Sequence, residues 1–173
     1  RFREEATHCE SPEARKTIGI NSQICLGSGT GSPTSSSQKK GMFRAFPDAG
    51  WAAIRTDLSD PAHDIACIFR SSPYGSISHS HADNNDFILH VAGKVMAMPS
   101  GYYDGYGSNH HTHWNWHTKS HNCVTLSDDG QQMRSHHSGG AVEHCFEDER
   151  IIYFRGNADA SYAHRAALCR RHV

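Results

Sequence analysis

The chain has 173 residues, a net charge of −1 and fifteen histidines. That length predicts one domain, able to bury about 70% of the surface its unfolded chain exposes without help from disulfides or metal. The charge balance argues against a phosphate-tracking nucleic-acid protein; a mean hydropathy of −0.65, with no apolar run of about 18 residues, excludes a helical membrane span.

Residues 27–38 are a Gly/Ser/Thr run with one proline and no apolar side chain, so 1–42 is predicted to be linker-like, with a short helix at 4–16. No basic-then-apolar leader opens the chain. From residue 43 the periodicity becomes that of strands. Segments 50–56, 63–70, 87–92, 94–98, 123–126, 141–146 and 151–155 are short, rich in β-branched and aromatic residues, and bounded by turn residues. Gly93 sits where a hairpin would turn. Residues 164–173 read as a further strand cut short, which would leave an open sheet edge and suggests a piece of a larger protein. An all-β fold follows, an antiparallel β-sandwich over 43–173, incomplete at its end.

Histidine is the side chain whose ordinary pKa, near 6.5, lies closest to neutrality, so mild acid makes this chain cationic and keeps an anionic partner open. Eight of the fifteen fall between residues 79 and 121. In Ser78-His-Ser-His-Ala-Asp83, a strand would project His79 and His81 to one face, where they could share a metal or split into ligand and free base. Residues 100–117 hold three Tyr, two Trp, four His and three Gly without helix or strand period, the composition of a binding loop suited to stacking on sugar. Thr118-Lys-Ser-His-Asn122 follows, and its His121 can complete a ligand set. His136-His137 and the 170–172 charge run read as solvated. The six cysteines, Cys9, Cys25, Cys67, Cys123, Cys145 and Cys169, form no CxxC pair and read as scattered buried thiols.

The ordered series 69–87, Ser100-Gly-Tyr-Tyr103, His110-His111, Trp116 and 118–122 resembles the heparinase II/III-like polysaccharide lyases, most of all their oligoalginate lyase branch. The resemblance implies a bacterial protein, periplasmic or cytoplasmic, in which an (α/α) toroid precedes the sandwich. It implies β-elimination on an anionic uronate oligosaccharide, with alginate oligomers or a heparin-type glycosaminoglycan as the polymer. This chemistry requires a neutralised C5 carboxylate, a base for the C5 proton and an acid for the departing oxygen.

By position, the resemblance makes His79 the catalytic residue of the sandwich, and the remaining groups belong to the toroid. Tyr103, His110, His111 and Trp116 become substrate-binding candidates. It further implies a structural zinc through His81 and His121. The usual Asp between them is Pro99 here, and zinc prefers four ligands, so Asp83 or Asp104 would have to substitute. Partners are then a uronate saccharide and a toroid domain or second copy, with no nucleic acid or membrane. The alternative is a non-catalytic carbohydrate- or metal-binding sandwich.

Overall fold

Residues 42–127, 131–148 and 151–173 are described by the computed structural model. Five antiparallel strands pair in chain order: β1 (Met42–Phe46), β2 (Trp51–Arg55), β3 (Ile65–Arg70), β4 (Asp86–Val91) and β5 (Lys94–Ala97). A second antiparallel sheet runs β6 (Ala141–Glu147), β7 (Ile152–Asn157) and β8 (Arg170–His172). The two sheets face each other, as the alternating strands predict. No helix among the described residues is long and apolar enough to cross a membrane.

Register explains which side chains meet. Phe69 lies opposite Ala52 on β2 and Phe87 on β4, so these three share the inner face, while Trp51 and Ile68 stay exposed on the outer one. Phe43, Ala52 and Phe69 pack on Val142, Cys145 and Phe154 of the other sheet. Phe154 stacks on Phe43 with centroids 5.8 Å apart and takes the edge of Phe69 at 5.1 Å. Gly156 is required beside them, because a Cβ there would lie 2.1 Å from the Phe69 ring. Between β4 and β5, Ala92 and Gly93 both have positive φ (51° and 73°), the demand of a type I′ hairpin turn.

A bulge tunes the second sheet. Glu143 pairs with Arg155 but Phe146 with Tyr153, so β6 carries one extra residue, and His144 takes φ 54° there. Strict alternation from Val142 would send His144 inward; the bulge places Cys145 in the core instead.

Several expectations need correction. Residues 123–126 join no described strand: the Val124 carbonyl accepts from the Tyr162 hydroxyl, and the Cys123 thiol donates to the Asn84 carbonyl. The tail forms strand only at β8, preceded by a short helix, α1 (Asp159–Tyr162), that no periodicity announces. Of the described cysteines only Cys145 is buried; Cys67, Cys123 and Cys169 are half-buried. The predicted linker at 27–38, the helix at 4–16, Cys9 and Cys25 lie outside the described residues.

The connection 71–85, between β3 and β4, is held by a buried amide network rather than by apolar packing. Asn84 Oδ1 accepts from the Ser72 N–H at 2.8 Å, and its Nδ2 donates to the Ser138 carbonyl and Ser161 Oγ, each at 2.8 Å. Gln132 bonds both backbone groups of Asn84, at 2.8 and 2.9 Å. Asn84→Ala strands a buried amide and a buried carbonyl, so a loss of about 3 kcal/mol is expected in urea denaturation. A loss under about 1 kcal/mol would show that water replaces the side chain.

Candidate functional site

The long excursion between β5 and β6 folds back over the 71–85 connection. Its first helical turn, His111–Asn115, is π-helical, with the Trp116 N–H donating to the His111 carbonyl at 3.2 Å. A 3-10 turn, Thr118–Ser120, follows. The 100–117 stretch is therefore partly helical, contrary to its aperiodic sequence. The turn begins where Ser108 Oγ accepts the His111 N–H at 3.1 Å. Side chains then tie the excursion down: Asn115 Nδ2 to the Gly101 carbonyl at 2.7 Å, Trp114 Nε1 to Ser100 Oγ at 2.7 Å, and Thr118 Oγ1 to the Ala82 carbonyl at 2.8 Å. The Ala82 N–H answers by donating to the Trp116 carbonyl at 3.0 Å.

That docking puts His79 against the excursion. Its exposed ring lies 4.5 Å from Tyr106, which also meets His111 at 4.9 Å and Trp116 at 5.7 Å. Tyr103 covers His111 from another side at 4.2 Å, and His111 lies 4.1 Å from Trp116. His111 is only 1% exposed and accepts the Gly107 N–H on Nδ1 at 2.7 Å, so its proton sits on Nε2. Burial, helped by Arg134 and His79, pushes its pKa below the ordinary histidine value. His79, Tyr103, His111 and Trp116 thus come together, whereas the exposed His110 has no ring contact with them among the described residues.

Residues 78–83 are not a strand, so His79 and His81 do not share a face. Ser78 takes φ 53°, the Ser80 N–H donates to the Ile77 carbonyl, and Ser76 Oγ donates to the His81 carbonyl. Short polar side chains supply the local partners that a ladder would otherwise provide. The kink sends His81 into a second cluster. Its Nδ1 lies 3.0 Å from Nε2 of His121, the rings meeting edge to face at 5.1 Å. His121 Nδ1 donates to the His117 carbonyl at 2.9 Å, leaving its Nε2 lone pair free to accept. Burial, then His121 and Arg134, pulls His81 down to about 4, so it is neutral at neutral pH.

Asp83, Asp86 and His121 each offer a ligand atom within 4.8 Å of the others. Asp83 also pairs with Arg70, and Asp86 Oδ1 accepts the Asn122 N–H at 2.8 Å. Burial pushes the Asp86 carboxyl above the usual range, a penalty that a nearby cation relieves. Neutral imidazoles and paired carboxylates are a donor set that fits a divalent ion such as zinc. Pro99 lines the same pocket without a donor side chain, and Asp104 is elsewhere, hydrogen-bonded to Ser108 in the exposed loop. Of the two substitutes that sequence suggests, only Asp83 is in place.

Sequence reasoning passed over Asp86, Tyr106 and Arg134. The Arg134 guanidinium carbon lies 4.3 Å over the Trp116 ring, and Nη1 donates to the Ser80 carbonyl and to Ser76 Oγ. One signal was available: Arg134 is the single Lys or Arg between Lys119 and Arg150.

Residues 38–172 match the family described as heparinase II/III-like, C-terminal. Among solved structures, a heparinase III gene product is 22% identical with a TM-score of 0.56, over 70% of this chain and 18% of its own. The heparan sulfate lyase HepC from Pedobacter heparinus is 20% identical with a TM-score of 0.54, again over 70% and 18%. The likeness is one of fold, and this chain spans under a fifth of those proteins. No curated protein matches it.

Proposed function

The chain belongs to the heparinase II/III-like C-terminal family, and from that premise we propose that it forms the sandwich part of a polysaccharide lyase cleaving uronic-acid polymers by β-elimination. One observation carries the reading. His79 stands open to solvent beside the exposed ring of Tyr106, which rests on Trp116 and the buried His111, an imidazole able to move a proton next to a ring able to receive a sugar face. Tyr103, His110, His111 and Trp116 are proposed to shape the saccharide site, Tyr103 and His111 by bracing the stack from behind. A neutraliser and a partner acid from a preceding toroid would complete the reaction, so the chain alone is expected to bind without turnover.

Two polymers have support. The absence of Lys and Arg from residues 100–117 favours an unsulfated chain such as alginate, on which an oligoalginate lyase would act. The heparan sulfate lyase named above favours a glycosaminoglycan. The full-length protein, given alginate, heparin and heparan sulfate in turn, is expected to raise the ultraviolet absorbance of an unsaturated uronate on at least one of them. Binding without any such product would identify a non-catalytic carbohydrate module instead.

Zinc is proposed as a structural ion held by Asp83, Asp86 and His121, with His81 beside His121. When bound it would supply a cross-link, while the residues themselves clamp the 71–85 connection and the excursion to the start of β4. Free zinc at about 100 times its dissociation constant adds ~2.7 kcal/mol of stability. For a domain of this size that is on the order of 5–10 °C in melting temperature. Chelator treatment should remove that increment, zinc should restore it, and Asp86→Asn should abolish the response. A melt indifferent to both, with no bound zinc by elemental analysis, would overturn the assignment.

A further inference from the structure

We infer that Arg134 binds the carboxylate of a uronate residue in the subsite beside His79. The inference rests on the lyase reading for its ligand class, but the geometry comes from Arg134 itself. Four other arginines are satisfied by carboxylates: Arg55 by Asp64, Arg70 by Asp83, Arg155 by Glu143 and Arg170 by Asp159. Arg134 has no carboxylate partner among the described residues. Its Nη1 is spent on neutral acceptors, the Ser80 carbonyl and Ser76 Oγ, and its Nε and Nη2 make no hydrogen bond there.

The guanidinium is half-buried over Trp116. Burial lowers its pKa from the ordinary arginine value, because part of its hydration is lost. Neighbouring rings do not supply a counter-ion. An imidazole is neutral or positive and so cannot pair with a guanidinium, and His111 Nδ1 is already occupied by the Gly107 amide. A second buried polar group is also unpartnered: Trp116 Nε1, on the ring beneath the guanidinium, has no acceptor among the described residues. The half-open guanidinium therefore presents free donors and a positive charge, above a buried indole N–H that also lacks an acceptor.

Position decides the ligand. Ser80 follows His79 directly, so the bond that seats the guanidinium also fixes the backbone that carries His79. Tyr106 bridges the two sides, touching the rings of both His79 and Trp116. An anion taken by the free edge of Arg134 thus lies in the same cluster as the proposed proton-transfer residue. A planar fork matches a planar carboxylate, which accepts two parallel hydrogen bonds. In a uronic acid that group hangs on the carbon whose proton β-elimination removes. Arg134 would bring positive charge to the carboxylate from the sandwich side.

The test is calorimetric, on this chain, with an alginate tetrasaccharide and a heparan sulfate tetrasaccharide as acidic probes and cellotetraose as the neutral one. The wild-type chain is expected to bind at least one acidic probe more tightly than cellotetraose. Arg134→Gln should weaken that acidic binding by about 10- to 100-fold, and Arg134→Lys by less, because one charged donor remains. Cellotetraose binding should be unchanged. Equal acidic binding by wild type and Arg134→Gln, an equal loss for cellotetraose, or no acidic binding by wild type would each overturn the inference. Should Arg134→Gln fail to fold, the guanidinium NMR signal of wild-type Arg134 answers instead: it should shift with the acidic probe and not with cellotetraose, and a signal that stays put overturns the inference. Failure of the lyase reading looks different, since Arg134-dependent binding would persist while the full-length protein forms no unsaturated product.

Discussion

Replacing His79 by Ala in the full-length protein is expected to lower turnover on a uronate oligosaccharide by about 10²- to 10⁴-fold. Its side chain is exposed and makes no hydrogen bond among the described residues, its ring contact being with Tyr106. The folded state therefore loses little, and the change in stability should stay within about 0.5 kcal/mol, as for other surface positions. That separation makes the result decisive: a large fall in rate at constant melting temperature assigns proton transfer, because packing alone moves both together. His79→Gln keeps a hydrogen-bonding side chain of similar reach but cannot carry the proton, so it should be nearly as slow as the alanine variant. A rate close to wild type in either variant would return His79 to a purely structural part in the Tyr106 stack.

The second large effect lies in the core. Phe154→Ala is expected to destabilise the chain by about 3–5 kcal/mol, the range for a buried aromatic whose cavity cannot close. Phe154 is fully buried, and it touches Phe43 and Phe69 of the opposite sheet through ring faces and edges at once. Its removal opens the middle of the sandwich, where the pleated backbones on either side cannot collapse together. A domain is held by only about 5–15 kcal/mol in all, so urea denaturation should show a large shift of midpoint. Tyr102→Ala is the control: that ring is 96% exposed, and its loss should be within about 0.5 kcal/mol. Comparable losses for the two would mean that Phe154 is not the keystone between the sheets.

The strands were legible because period-2 alternation is a local property: 50–56, 63–70, 87–92, 94–98, 141–146 and 151–155 each overlap an observed strand to within a residue or two. The 123–126 stretch has the same composition but no ladder, since its polar groups are drawn to Tyr162 and Asn84, partners 38 and 39 residues away in the chain. The bulge at His144 escaped for the converse reason. One extra residue shifts the inward set from one parity to the other, and composition carries no mark of it.

The site divides along the same line. His79, His81 and His121 stand out in the sequence because histidine is chemically conspicuous, and their motif order alone brings the heparinase II/III-like family to mind. Separation in sequence hid the rest. Asp86 joins His121 across 35 positions, and Arg134 reaches Ser80 across 54. His79 and His81, two residues apart, go to different clusters because residues 77–80 form a turn in place of the strand that would have aligned them. By itself the sequence determined the sandwich, the family and the chemical types available. Only the tertiary structure decided which of them meet, because an imidazole is recognisable anywhere, whereas a guanidinium without a counter-ion is defined by what the fold leaves beside it.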